Sequence, residues 1–252
     1  MCIRDSGNAL DVDSVRSNSG FYDSNTGTIR WEISNNPNFA VIQPGATRNL
    51  DFTIEQGSTL STSAFDLTVN VFARRVAESS ATEQLIGTIK KQGKYSSSVL
   101  LGSQIGYGGI FTNSGPIPPV VGQTTSYTAT IVAEAGANDL EDVVANTSLP
   151  IHVTWLEQHQ GDGTLIYNNV SKQIEWQVGT IDSNVRKEIS FTVSILPSIS
   201  QLGITPVLVN KQELVAEDRF TGDTLRETAG QITTELSTEA GHPSGNGVVV
   251  EN

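Results

Sequence analysis

Apolar and polar residues alternate with a period of two over much of the chain, the spacing of a β-strand with one face buried. The clearest run is "KEISFTVSI" (187–195), where Ile189, Phe191, Val193 and Ile195 share one face and Ser190, Thr192 and Ser194 the other. "IHVTW" places Ile151, Val153 and Trp155 on a common core-facing side, and "QIEWQV" does the same with Ile174, Trp176 and Val178. Further strands are expected at "FDLTVNVFA" (65–73), "SYTATIVA" (126–133) and "QITTEL" (231–236). Turn chemistry bounds these runs, as in "SNTG" (24–27), "QPG" (43–45) and "GDG" (161–163). Helical periodicity is nearly missing; the charged stretch "ARRVAESSATEQL" (73–85) reads as a strand end plus a loop. The pattern predicts an all-β chain built as sandwiches with one wet face per sheet.

The pattern also repeats. "FYDSNTGTIRWEISN" (21–35) lines up with "IYNNVSKQIEWQVGT" (166–180), so Tyr22 and Trp31 correspond to Tyr167 and Trp176. Each copy then runs into an alternating strand, Leu50, Phe52 and Ile54 in the first and Ile189, Phe191 and Val193 in the second. The first copy carries about six extra residues between Trp and Phe, a loop insertion that a sandwich tolerates. Between the copies lies "GYGGIFTNSGPIPPVVGQ" (106–123), too rich in Gly and Pro for a central strand. It is expected to be a short, stiff connector, which sets two modules at 7–108 and 109–240 and leaves 241–252 as a tail or linker.

These matching segments resemble the bacterial surface repeat family catalogued as domain of unknown function 11. "SYTATIVAEAGANDLEDVVANTSLPIHVTW" (126–155) is similar to the first half of its pattern, and "IYNNVSKQIEWQVGTIDSNVRKEISFTVSILPS" (166–198) to the second. "FTNSGPIPPVVGQTTSYT" and "VAEDRFTGDTL" resemble longer relatives in surface proteins of uncultured bacteria. One departure is visible: the second copy has "DSNVRKE" where the family's Pro-Gly turn belongs, whereas the first keeps Pro44 and Gly45. The resemblance implies tandem Ig-like Greek-key β-sandwiches on a secreted or wall-attached bacterial protein. It supplies no catalytic residues.

Composition narrows the function. The net charge is −12 and the pI near 4.6, which argues against nucleic acid, whose binding needs basic patches. It argues equally against a polybasic membrane-surface anchor. No run of 18 apolar residues exists to span a bilayer. Met1 and Cys2 are the only sulfur residues, so no internal disulfide can form. Both sit in "MCIRDS", a string resembling the translation of a transposon-end sequencing adapter, and residues 1–6 are read as such an artefact. Tyr167 lies 58 residues past residue 109, and Tyr22 only 15 past residue 7. The first module is therefore expected to be N-terminally truncated by about 43 residues.

The candidate functional residues each have a structural alternative. Trp31, Trp155 and Trp176 could form sugar-binding platforms, but Trp155 and Trp176 run in phase with core aliphatics and read as core. His152 alternates out of phase with its neighbours and should face solvent, while His159 and His242 lie in a loop and the tail. Their spacing matches no zinc motif. Asp139, Glu141 and Asp142 cluster, and Asp218 lies near Asp223. These carboxylates suit Ca²⁺ better than glycoside hydrolysis, though the EF-hand loop pattern is missing. No nucleophile elbow or dinucleotide fingerprint is present. "NTS" (146–148) and "NVS" (169–171) match the glycosylation acceptor pattern, which in a bacterial chain reads as chance. The expectation is a non-enzymatic chain with no catalytic, cofactor or metal site. It would be a spacer segment of an extracellular or cell-surface repeat protein that packs against neighbouring repeats and supports adhesion. The alternative is a module binding surface glycans or proteins through loops at one end of a sandwich.

Overall fold

The computed structural model describes residues 10–57, 64–75, 81–236, 239, 241–242 and 244–251. The adapter-like residues 1–6 lie outside them. The chain divides into two units, Met1–Tyr95 and Ser96–Asn252, both all-β.

The first unit holds β1 (Leu10–Arg16), β2 (Phe21–Asp23), β3 (Thr28–Arg30), β4 (Thr53–Gln56), β5 (Ala64–Ala73) and β6 (Gln84–Lys94). They pair as three antiparallel ribbons, β1 with β4, β2 with β3, and β5 with β6. A small core of Val15, Ile29 and Trp31 is backed by Leu50, Phe52, Ile54, Leu67 and Val69. Trp31 meets Phe52 edge-on, with ring centroids 6.3 Å apart. In the β5–β6 ribbon, the Phe65 ring lies over Gly93 directly across the ladder, filling the space a side chain would take.

The second unit is an Ig-like sandwich. Its strands are β7 (Val99–Gly106), β8 (Thr125–Ala135), β9 (Leu140–Ser148), β10 (Val153–Gly161), β11 (Thr164–Asn168), β12 (Gln173–Ile181), β13 (Arg186–Ile195), β14 (Val207–Val209), β15 (Gln212–Asp218), β16 (Thr224–Ala229) and β17 (Ile232–Thr233). One sheet runs β10-β13-β8-β7 and the other β11-β12-β9-β15-β16, with β14 and β17 as a short extra ribbon. Ile174, Trp176 and Val178 of β12 meet Ile189, Phe191 and Val193 of β13 in one core, each pair of faces contributed by a different sheet. Alternation decides this: those residues occupy every second position and so share the inner face.

The repeat holds at the level of register. Tyr22 pairs with Ile29 and Asp23 with Thr28; Tyr167 pairs with Ile174 and Asn168 with Gln173. Every number shifts by 145 (167 − 22). The turns match too. Asp23 Oδ1 accepts the Asn25 N–H at 3.0 Å and Asn168 Oδ1 the Val170 N–H at 2.9 Å.

Five expectations need correction. The module boundary lies at 95/96 and not at 108/109, because β7 pairs along its whole length with β8 and so belongs to the second sandwich. The Gly/Pro-rich segment is a loop of that sandwich, folded over β8: the Ser114 N–H donates to Ser126 Oγ and the Asn113 amide to Thr128 Oγ1, both at 2.8 Å. The stretch expected to be a tail or linker joins the second sandwich through its described residues, since Val249 is buried and Val250 forms a parallel bridge with Val120. Ile151 does not face the core; it is 90% exposed in the turn after Leu149–Pro150, and the strand begins at Val153. "QITTEL" shortens likewise to a two-residue strand, β17.

Candidate functional site

Three places on the second unit bring together the residues singled out from the sequence. The first is the corner where the chain crosses from one sheet to the other, Gly161-Asp162-Gly163. Gly161 has φ +143° and Gly163 φ +71°, and a Cβ at either would run into backbone, at Glu188 and Gln177 respectively. Asp162 ties the corner to both sheets. Its Oδ2 accepts the Glu188 N–H at 3.0 Å, its Oδ1 meets Lys187 Nζ at 3.3 Å, and its carbonyl accepts Trp176 Nε1–H at 2.8 Å. Trp176 is wholly buried, so the hydrogen bond satisfies its one polar atom.

Toward the other end of β10, Trp155 closes the edge of the sandwich between β10 and β11. Its ring stacks on Tyr167 at 4.9 Å and 16°, meets Phe191 at 5.2 Å and lies 6.5 Å from the exposed His159. A bulge between Trp155 and His159, with Glu157 at φ +64°, turns the strand so that both rings reach this edge. Burial raises the Tyr167 hydroxyl above its ordinary pKa. Trp155 and Tyr167 remain half-buried.

The third place is built around Asp218, a fully buried carboxylate at the end of β15. Oδ2 accepts the Ser97 N–H at 2.5 Å and the Asn138 amide at 2.8 Å, while Oδ1 accepts Phe220 N–H at 2.9 Å and Thr221 N–H at 3.0 Å. Burial on its own raises this carboxyl, but the donors Ser97, Asn138, Thr221 and Phe220 outweigh it and hold the group below its ordinary value. Asp223 sits across the loop, its carbonyl accepting the Asp218 N–H at 2.8 Å and its carboxylate bonded to Ser96 Oγ. Donors aimed at both oxygens leave Asp218 as an anion cradled by amides, which is the wrong polarity for a cation.

The remaining sequence candidates are dispersed. Asp139 Oδ1 accepts the Ser183 N–H at 2.8 Å, Glu141 lies 3.9 Å from Arg219, and Asp142 takes a left-handed φ of +50° inside β9, where its ladders shift register. His152 is exposed as expected, with Nε2 3.0 Å from the Val207 carbonyl, and the His242 ring lies against Tyr107. Among the described residues no group of three or more His, Cys, Asp or Glu is placed to hold a metal ion, and no helix is long and apolar enough to cross a membrane. A shallow depression of about 350 Å³ on the outer face of the four-stranded sheet is lined by Gln104, Thr128, Thr130, Glu188, Ser190 and Glu239. Within it Thr130 bonds to Ser190 at 2.8 Å, and the Glu239 carboxylate accepts from the N–H groups of Tyr107 and Gly108.

No protein-family model matches the chain, and no curated protein does. Among solved structures it is similar to the major pilin subunit of Bacillus cereus, with TM-score 0.38 and 9% identity over 87% of this chain and 62% of that one. It is also similar to three N-terminal domains of the type V pili tip protein of Porphyromonas gingivalis, with TM-score 0.31 and 14% identity over 41% of this chain and 23% of that one. A third likeness is to the exo-β-N-acetylglucosaminidase of Vibrio harveyi, with TM-score 0.31 and 10% identity over 54% of this chain and 17% of that one. The chain thus spans less than two thirds of the length of each.

Proposed function

We propose that the chain is a non-enzymatic spacer segment of a bacterial cell-surface repeat protein of the domain-of-unknown-function-11 type. The observation that carries this is that Asp139, Asp162, Trp176 and Asp218 direct their hydrogen bonds into the scaffold. Trp176 and Asp162 hold the sheet-crossing corner, Asp218 ties Ser97 and Asn138 into the end of the sandwich, and Asp139 fixes a turn. A spacer needs this kind of internal bonding. An enzyme needs groups that point at a substrate. The repeated Tyr-turn-Trp ribbon supports the family reading, because it recurs in both units with one register.

One observation favours a second reading. Trp155 and Tyr167 form a half-buried aromatic pair at a sandwich edge beside the exposed Gln158, His159 and Asn168, the kind of surface on which a sugar ring stacks. The test is a glycan array followed by calorimetry on the full chain. The spacer reading expects no saturable binding at millimolar glycan. Binding abolished by Trp155→Ala, with the fold intact, would replace it with the glycan-binding reading.

A further inference from the structure

Asn246 and Gly247 form the only Asn-Gly pair in the sequence. With no Cβ on the second residue, its peptide nitrogen can reach the side-chain amide carbon of the first and close a five-membered ring. In a solvated chain that attack is slow, because the nitrogen must give up a proton and negative charge must build on the amide oxygen. The segment that follows β17 in this fold supplies a group for each of those needs.

The Glu235 carboxylate accepts the Gly247 N–H through Oε2 at 3.3 Å and the Gly245 N–H through Oε1 at 3.0 Å, so it brackets the pair. The Leu236 N–H donates to Asn246 Oδ1 at 3.1 Å, and Thr234 Oγ1 donates to the Gly247 carbonyl at 2.6 Å. Asn246 and Gly247 are both buried. A Cβ on Gly247 would lie 2.5 Å from the backbone nitrogen and Cα of Glu235, so the site admits glycine alone. Docking of the segment explains that glycine. A carboxylate on the nitrogen that attacks, with an N–H donor on the oxygen that takes up charge, adds the chemistry.

We infer that Asn246-Gly247 is a self-modifying site, at which the fold promotes conversion of Asn246 to an aspartyl or isoaspartyl residue. Glu235 Oε2 takes the proton of the Gly247 nitrogen as that nitrogen bonds to Asn246 Cγ. The charge that moves onto Oδ1 is met by the Leu236 N–H. The Cγ–Nδ2 bond then breaks, the proton leaves on ammonia, and a succinimide remains. Water opens the ring at either carbonyl, and no other reactant is consumed. The change puts a second carboxylate beside Glu235 in a buried place, where like charges repel. It does so at the root of the segment whose Val249 and Val250 N–H groups donate to the Ile204 and Pro119 carbonyls, both at 2.9 Å. Conversion should therefore loosen that segment. The inference is independent of the spacer reading, since a glycan-binding module with this segment would age in the same way.

The test incubates the full chain and, separately, a synthetic peptide of residues 241–251 at neutral pH and physiological temperature. Mass spectrometry reads the loss of ammonia and then the gain of water, and an isoaspartyl methyltransferase assay counts the isoaspartyl product. The peptide gives the rate of the pair without the fold. The folded chain should convert at least about tenfold faster than the peptide, and Glu235→Gln should abolish that advantage. Where Glu235→Gln unseats the segment, seen as fast amide exchange at Val249 and Val250, the comparison of the wild-type chain with the peptide still decides. A folded chain that converts no faster than the peptide would show that the fold protects the pair, and would overturn the inference. So would a Glu235→Gln chain that keeps the segment seated and converts as fast as the wild type. After conversion, amide exchange at Val249 and Val250 should quicken; unchanged exchange would overturn the loosening.

Discussion

Replacing Asp218 probes whether one buried carboxylate holds the end of the second sandwich. Asp218→Ala removes the acceptor from four N–H donors. Two of them, on Phe220 and Thr221, belong to the local turn and regain water when the loop relaxes. The other two, the Ser97 N–H and the Asn138 amide, are buried. At about 1–3 kcal/mol for each orphaned buried donor, the loss should be about 4 kcal/mol. That is a large share of the roughly 5–15 kcal/mol that stabilises a domain. Asp218→Asn keeps the shape but turns an amide toward N–H donors, so it should lose about 2 kcal/mol. Urea unfolding of the full chain carrying Trp31→Phe and Trp155→Phe, so that Trp176 is the one fluorophore, gives both values, with the slope unchanged. An Ala variant within about 1 kcal/mol of the wild type would refute the idea that these donors need this acceptor.

The same group sets a pH dependence whose sign is fixed by the lowered pKa. The stability it contributes is fully present above the unfolded carboxyl value, near 3.8, and is lost as the pH falls through the lower folded value. The deficit of Asp218→Asn relative to the wild type should therefore be constant from neutral pH down to about 3.8 and shrink below it. A deficit that instead grows on acidification would show that the carboxyl is protonated in the folded chain.

Trp176→Ala should cost about 3–5 kcal/mol in urea unfolding, the usual range for deleting a fully buried indole, and Trp176→Phe less. Gly163→Ala should lose at least about 1–3 kcal/mol, because the residue is left-handed and its new Cβ meets the Gln177 carbonyl; Gly122→Ala, at a similar φ with open space around it, should lose less. Tyr127→Phe should raise the melting temperature, corresponding to about 1 kcal/mol, since the buried hydroxyl has no partner among the described residues and leaving it out removes a desolvation cost.

Much of this fold is written in short-range pattern, and the parts that are not share a cause. Strands β12 and β13 were legible because their core residues alternate without interruption. The outer face of β8 was not. Ser126, Thr128 and Thr130 spell a solvent face, yet they are buried, because the sheet centre and the loop carrying Asn113 and Ser114 cover them. Ile151 extended the alternation of Val153 and Trp155 by one pair too many, since Pro150 starts a turn and Leu149 takes the core place. The boundary was misplaced because Gly and Pro mark loops inside a domain as readily as loops between domains; the division at Tyr95–Ser96 carries neither. Half of the Asp218 site could be read from "DRFTGD", where an Asp before a Gly-containing turn accepts from its own loop. Its other half could not, because Asn138 and Ser97 lie 80 and 121 positions away.

The two copies of the ribbon show how one backbone can be reached by different means. At the turn, Gly27 has φ +60° and its counterpart Lys172 has φ +55°, so both copies need a left-handed residue at the same place. Glycine adopts that conformation at little cost, whereas a lysine gives up roughly 1–2 kcal/mol. The second unit offsets this with long-range bonds: Lys172 Nζ donates to the Val153 carbonyl at 2.8 Å, and the Lys172 carbonyl accepts the Leu149 N–H at 2.9 Å. The tryptophans differ in the same way. Trp176 is anchored through Nε1 to Asp162, while Trp31 Nε1 has no partner among the described residues. Where surrounding strands are dense, tertiary bonds hold the turn and the sequence is free to carry lysine. Where only ribbons surround it, the turn relies on glycine itself, and that is why the Tyr-turn-Trp geometry persists in a unit whose described core centres on Val15, Ile29 and Trp31.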